Sequence, residues 1–269
     1  MKYIPTLTIA GSDSSGGAGI QADIKAMSAL GCYAMSVVTA ITAQNTCGVQ
    51  SVYPIPPKEV ALQFTTIIED IPPLAIKTGM LCNTEIITAV ATCLHQHSFP
   101  LVVDPVMVAT SGDRLLCPTA EASLRTLLLP LATLLTPNLL EAEILSGIQI
   151  HSEKSLQKAG EALLSLGCQA VLIKGGHFSS PEAVDYLFTQ KECHTFHHPR
   201  IDSRNKHGTG CTLSAAITAF LARGNTLQEA IAEAKEYLSA ALQSGSAIDI
   251  GQGEGPVDHF YHPLKSIKR

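Results

Sequence analysis

Short apolar runs alternate along the chain with longer segments whose apolar positions recur every three or four residues. The short runs predict strands over residues 4–10, 36–41, 75–78, 101–103, 134–136 and 170–174. The longer periodic segments predict helices over 20–30, stopped by Gly31, and over 58–69, 85–95, 121–128 and 138–145. A further helix is predicted over 156–166, with Gly167 beyond it. Residues 186–189 and 193–196 read as an antiparallel hairpin, and two helices over 210–222 and 227–241 close the pattern. Repeated strand–helix units with apolar strands predict a mainly parallel central sheet covered on both faces, a three-layer α/β/α sandwich. No linker or composition break divides residues 1–269, which therefore read as a single domain without internal repeats.

Composition narrows the function classes. Hydrophobic residues make up 46% and charged residues only 15% of the chain, the balance of a compact globule. There is no tryptophan and aromatics are 5%, so stacking platforms for nucleic acid are not expected. The formal net charge is −5 and basic residues are scattered apart from the last few, which disfavours broad attraction to nucleic acid or acidic lipid. A phosphate site must then be local, made by a few lysines and backbone amides. The start, MKYIPTLTIAGSD, is too soon interrupted to read as a signal peptide, and no apolar stretch approaches the ~18 residues of a spanning helix. Eight cysteines without a CxxC pair predict reduced thiols in a cytoplasmic protein. His194, His197 and His198 have no helical ligand spacing and read as a solvated loop rather than a metal site.

Doubly covered parallel sheets bind ligands beyond the carboxyl ends of their strands, so the residues that follow each strand carry the candidate chemistry. Gly11 to Asp23, GSDSSGGAGIQAD, has four glycines but lacks both the Walker lysine and the GxGxxG spacing. A tight turn and a ligand loop both remain open there. Gln44 is an amide that can read a heterocycle by donating and accepting at once, or a satisfied loop group. Met80, in KTGML, reads first as core packing. Asp104 ends a buried strand as a turn cap or a functional carboxylate. Asn138 and Glu141 share one side of a helix's first turn, as a capping box or as a corner for hydrated magnesium. Lys174 stands where a strand gives out beside Gly175 and Gly176, a position suited to phosphate.

His207 to Ala216, HGTGCTLSAA, places a thiol at a glycine-lined helix entrance. The amides of Gly208, Thr209, Gly210 and Cys211 form a ready anion site, and the same positive end is expected to lower the Cys211 pKa. A buried space-filling thiol, a nucleophile and a base all fit the position. Together these parts suit phosphoryl transfer: a magnesium corner, a phosphate lysine, an anion turn and a base.

Eight segments in order carry a resemblance: TIAGSDSSGGAGIQADIK, TAQNTCGVQSV, KTGML, DPVMVATSG, TPNLLEAE, VLIKGGH, HGTGCTLSAA and GEGPVDHF. The chain resembles the hydroxymethylpyrimidine/phosphomethylpyrimidine kinases of thiamine biosynthesis, in the ribokinase superfamily. That resemblance implies a ribokinase-like fold, ATP and Mg²⁺ as cofactors, an aminopyrimidine substrate and a homodimer. It implies that Gly11, Ala18, Asp23, Gln44, Met80 and Val106 line the pyrimidine pocket. Lys174, Asn138, Thr209 and Gly210 would serve the nucleotide, and Glu141 with Asp104 the metal. Gly208, Gly210 and Lys174 would stabilise the transferring group while Cys211 takes the proton. Cysteine at 211 replaces the aspartate of the sugar kinases and is shared with vitamin B6 kinases, which makes a pyridoxal kinase the nearest alternative. A covalent cysteine hydrolase is the alternative from another class and needs a histidine at the thiol, with His207 the nearest in sequence. Lys206 stands where the family more often has threonine, an extra cation that bears on nucleotide affinity.

Overall fold

The computed structural model describes residues 1–107, 115–117, 119–175 and 182–268. Part of DPVMVATSG and of VLIKGGH, including Gly176 and His177, lies outside them. Among the described residues eight strands form one sheet: β1 (Pro5–Ala10), β2 (Tyr33–Val38), β5 (Ala75–Thr78), β6 (Leu101–Val103), β7 (Leu134–Leu135), β8 (Ala170–Lys174), β9 (Glu182–Thr189) and β10 (Cys193–Pro199). Their spatial order is β10-β9-β8-β7-β6-β5-β1-β2. Every pair from β8 to β2 is parallel, and β9 and β10 add antiparallel edge strands.

Alternation along the strands explains the layers. Ile76, Val103, Leu135, Val171 and Ile173 point into one core, while Ala75, Val102, Leu134, Ala170 and Leu172 point into another. Fully burying one such leucine, isoleucine or valine contributes about 1.5–3 kcal/mol, so a sheet apolar on both faces needs helices on both. The first core is closed by α2 (Pro57–Asp70), α3 (Thr84–His95), α4 (Ala120–Ser123), α5 (Leu139–Ser146) and α6 (Glu153–Leu164). The second is closed by α1 (Gly19–Ala29), α7 (Thr209–Arg223) and α8 (Leu227–Gly245). The expected three-layer sandwich is the observed architecture. No described helix is long and apolar enough to cross a membrane.

Three expectations are corrected. The strand expected over 36–41 is two strands: β2 stops at Val38, and β3 (Ala40–Asn45) leaves the sheet to pair antiparallel with β4 (Gly48–Pro54). Thr39 marks the break, its N–H donating to the Ala10 carbonyl and its hydroxyl to the Met80 carbonyl. The helix expected over 121–128 is α4 followed by a π-helical turn at Leu124–Leu128 and a 3₁₀ turn at Leu129–Leu131. Pro130, which has no N–H to donate, lies inside the 3₁₀ turn, where the wider helical pattern has already given out. His194, His197 and His198 lie on β10 rather than in a loop, with His197 Nδ1 2.9 Å from Glu182 Oε2. Among the described residues no three histidine, cysteine, aspartate or glutamate side chains cluster as metal ligands.

Candidate active site

The carboxyl ends of β1, β5, β6 and β8 bring the predicted residues towards the first turn of α7. Gly208 opens that helix as its N-cap, with φ 76° and no side-chain cap. A Cβ there would lie 1.9 Å from the Gly17 carbonyl oxygen, so only glycine lets the turn approach the 11–18 loop this closely. The amides of Gly210 and Cys211 then stand in the first turn, where helical geometry supplies no intrahelical acceptor, while Thr209 N donates to the Lys206 carbonyl at 3.3 Å. Lys174 faces that turn: its Nζ is 3.4 Å from where a Cβ on Gly210 would stand and 3.3 Å from Asp104 Oδ1. Asp104 Oδ2 accepts from Ser214 on the next turn of α7 at 3.2 Å. Burial works against the Lys174 ammonium, but Asp104 and Glu141 override it and lift the group above its usual range, so it stays charged.

Asn138 and Glu141 form the capping box of α5. Asn138 N donates to Glu141 Oε2 at 2.9 Å, and Glu141 N donates to Asn138 Oδ1 at 2.9 Å. Glu141 Oε1 also accepts from Met107 N at 3.2 Å, so the capping reading is realised in the geometry. Burial pushes the Glu141 carboxyl up, and Asp104 pushes it further against the pull of Lys174 and the two amides. Two buried carboxylates beside one lysine fit a mostly hydrated magnesium, which takes one or two protein carboxylates and completes its shell with water and phosphate.

On the other side of the turn, Gly11 packs on Met80, whose Cε lies 2.3 Å from where a Cβ on Gly11 would stand. Ala18 caps α1, and its N–H donates to Asp13 Oδ2 at 2.8 Å. Val106 is half-buried at φ 41°, a conformation that costs a β-branched residue about 1–3 kcal/mol and is characteristic of sites where surroundings over-determine the backbone. Gln44 is the last residue but one of β3, its Oε1 accepting from Thr42 at 3.2 Å. Asp23 stands apart from these. It is fully buried, with both oxygens on Lys77 Nζ at 2.8 and 2.7 Å and one also on Thr8 Oγ1 at 2.6 Å. Its carboxylate is thus engaged by Lys77 and Thr8 and exposes no surface.

Cys211 is half-buried at the start of α7. The expected lowering of its pKa is not what the surroundings produce: burial pushes the thiol up to about 11, while the Lys77 ammonium and the Gly19 amide pull the other way. Sequence reasoning missed Lys77 and Asp13, the latter being the partner of His207. A lysine inside the buried strand Ala75–Thr78 was the available signal for the first, because such a charge requires a counter-charge. Asp13 accepts from Ser15 N and Oγ, Gly17 N, Ala18 N and His207 Nε2. Burial alone would raise its pKa, but His207, Ser15 and the Ala18 amide hold it well below the usual carboxylate range. His207 therefore turns its Nε2 to Asp13 at 2.7 Å, which removes the sequence-based ground for pairing it with the Cys211 thiol. Lys206 is exposed.

A family model described as phosphomethylpyrimidine kinase matches residues 13–258. Over 263 residues, 97% of this chain and 99% of the relative, the sequence is 49% identical to a hydroxymethylpyrimidine/phosphomethylpyrimidine kinase of Salmonella typhimurium. The crystal structure of a phosphomethylpyrimidine kinase from Clostridium difficile superposes with a TM-score of 0.79 at 48% identity, covering 88% of this chain and 99% of that one. A pyridoxal kinase from Staphylococcus aureus, solved with AMP-PCP and pyridoxal, superposes with a TM-score of 0.89 at 35% identity, covering 98% and 97%.

Proposed function

The chain belongs to the phosphomethylpyrimidine kinase family, and from that premise we propose how its strand-end cleft transfers phosphate. It is an ATP-dependent kinase of thiamine biosynthesis that phosphorylates hydroxymethylpyrimidine and then its monophosphate. The observation that carries the site assignment is the meeting of Lys174, Asp104 and the uncapped first turn of α7, which contains Cys211.

In this reading the pyrimidine lies between the Gly11–Ala18 loop, Gln44, Met80 and Val106, with its hydroxymethyl oxygen towards Cys211. Asp23 shapes that pocket from below. The charged Lys174 and the amides of Gly208, Gly210 and Cys211 receive the γ-phosphoryl oxygens, whose charge spreads in the transition state. Asp104 and Glu141, with Asn138 fixing the latter, would hold a hydrated magnesium, which supplies charge neutralisation between the phosphates. Cys211 accepts the proton of the attacking hydroxyl. A thiol with a pKa near 11 is mostly protonated at neutral pH, so the thiolate is scarce but strongly basic once formed.

Steady-state turnover with ATP and hydroxymethylpyrimidine, its phosphate or pyridoxal tests the assignment. Pyridoxal is the second reading, favoured by the TM-score of 0.89 with the pyridoxal kinase. Cys211→Ala should lower turnover on the preferred alcohol by about 10²–10⁴-fold with an unchanged fold. Cys211→Asp should retain measurable activity, because a carboxylate also accepts a proton. Wild-type turnover should rise as pH increases from about 7 to 9, since the thiolate fraction grows throughout that range. A flat profile together with full activity in Cys211→Ala would remove the base from the mechanism.

A further inference from the structure

One closed ring of hydrogen bonds links the elements assigned above to the pyrimidine and to the phosphate. It begins at the β3–β4 hairpin, where Gln44 N donates to Ser14 Oγ at 2.9 Å and Ser14 Oγ donates to the Gln44 carbonyl at 2.8 Å. From Ser14 the chain leads to the neighbouring Asp13, whose Oδ2 meets His207 Nε2 at 2.7 Å. The His207 N–H then donates to the Gly255 carbonyl at 3.1 Å. The residues just before Gly255 return to the hairpin: Glu254 N donates to the Thr46 carbonyl and Gly253 N to Thr46 Oγ1, each at 3.1 Å. Buried Asn205 steadies the start of this tail, its Nδ2 donating to the Gly245 and Ile248 carbonyls at 2.7 and 2.8 Å.

Within this ring only the Asp13–His207 contact joins two side chains, and it joins them across 194 residues of sequence. Both are buried, Asp13 at 1% and His207 at 8% exposure. Asp13 organises the 13–18 loop through its four contacts with Ser15, Gly17 and Ala18, while His207 immediately precedes the Gly208 cap of α7. A displacement of either loop therefore pulls on the other through the imidazole–carboxylate contact, beside the close packing of Gly208 on Gly17. Phosphoryl transfer needs the attacking oxygen in line with the γ-phosphoryl, and a misplacement of ~1 Å can cost about 10²-fold in rate.

We propose that His207 is a positioning residue: pinned to Asp13, it fixes the pyrimidine-side loop against the phosphate-side turn and keeps water from the transferring group. The inference rests on the kinase reading of the same cleft. Its chemical consequence is specific. With the pin removed, a water oxygen can bond to the γ-phosphorus in place of the hydroxymethyl oxygen. The bond from that phosphorus to the ADP oxygen breaks, and the products are ADP, inorganic phosphate and a proton released to solvent.

The test measures ADP formed and pyrimidine phosphorylated in parallel, for the wild type, His207→Ala and His207→Gln. Asp13 is the poorer target because its loss also frees the Ser15, Gly17 and Ala18 contacts. His207→Ala is expected to lower turnover of hydroxymethylpyrimidine by about 10²-fold. Its ratio of ADP formed to pyrimidine phosphorylated should rise well above the wild-type ratio. His207→Gln retains an N–H donor at a similar reach and should restore most of both quantities, and it carries the test if the alanine variant does not fold. A glutamine variant as uncoupled as the alanine one, or an alanine variant with wild-type turnover and ratio, overturns the proposal. A wild type that phosphorylates no pyrimidine would instead overturn the kinase reading on which it rests.

Discussion

Two lysine–aspartate pairs flank the first turn of α7, one closed and one open. In the closed pair Lys77 Nζ holds both oxygens of Asp23 at 2.7 and 2.8 Å, and neither side chain exposes any surface. In the open pair Lys174 Nζ makes a single 3.3 Å contact with Asp104, and 17% of the lysine side chain stays exposed. An ammonium has three donors, so Lys174 keeps capacity for an arriving phosphate while Lys77 is directed inward at its partner. Burial works against both charges, raising the Asp23 carboxyl and opposing the Lys77 ammonium, while each partner favours the other's charge; the Lys77 ammonium ends above its usual range, held by both Asp23 oxygens in the interior. Taking two charges out of water costs several kcal/mol per ion, and such a pair adds little net stability while making the loss of one partner expensive. The same two residue types thus give a fixed charge under the thiol in one case and a ligand-facing charge in the other. Exposure and the number of contacts decide which.

Removing one member of the closed pair is the most direct way to break this contrast. Asp23→Asn leaves the Lys77 ammonium buried without a counter-charge and should cost about 3–5 kcal/mol in urea unfolding. The double variant Asp23→Asn/Lys77→Met should recover a large part of that loss, because no uncompensated charge remains. A single variant within about 0.5 kcal/mol of wild type would mean that the pair is not held as a charged unit.

The open pair should respond in the opposite currency, function rather than stability. Lys174→Met removes a donor aimed at the transferring group and should lower turnover by about 10²–10³-fold. Asp104 keeps its bond from Ser214 and its access to the cleft, so the unfolding midpoint should shift less than in Asp23→Asn. A variant that unfolds as easily as Asp23→Asn, yet turns over normally when folded, would make the two pairs equivalent and erase the distinction.

The contrast also marks what the sequence makes legible. Apolar periodicity identifies β1, β5, β6, β8 and most helices, because burial on both faces forces a continuous pattern. It fails for β3 and β4, whose hairpin lies outside the main sheet with mostly half-exposed or exposed residues and little apolar alternation. Lys174 and Asp104 are visible as polar residues at strand ends, where open sheets bind ligands. The engagement of Asp23 is not visible, since its partner stands 54 positions away. Likewise His207 reads as a neighbour of Cys211 in sequence, whereas the fold sends its ring to Asp13. The direction of the Cys211 pKa fails for a related reason. Helix position is local and readable, but the burial that outweighs it is tertiary.

Glu141 sharpens the comparison with the smallest expected effect, because it adds a second carboxylate to the open pair without closing it. Its oxygens accept from Asn138 N and Met107 N, and burial followed by Asp104 raises its pKa above the usual 4.5. Glu141→Gln keeps one oxygen acceptor but turns an NH₂ towards the other amide, which should cost about 1 kcal/mol. The sign of the pH dependence follows from the raised value. The folded wild type binds this proton more readily than the unfolded chain, so the carboxyl adds stability below the unfolded value and loses it as pH rises through the higher folded value. Glutamine has no such dependence, so the stability gap between wild type and variant should widen as pH falls from about 7.5 towards 4.5. Urea unfolding at the two pH values measures it. Turnover as a function of magnesium concentration at neutral pH then separates the two roles of this side chain. A carboxylate that is only a helix cap leaves that curve in place, whereas one that also holds the hydrated ion shifts it to higher magnesium when its charge is removed.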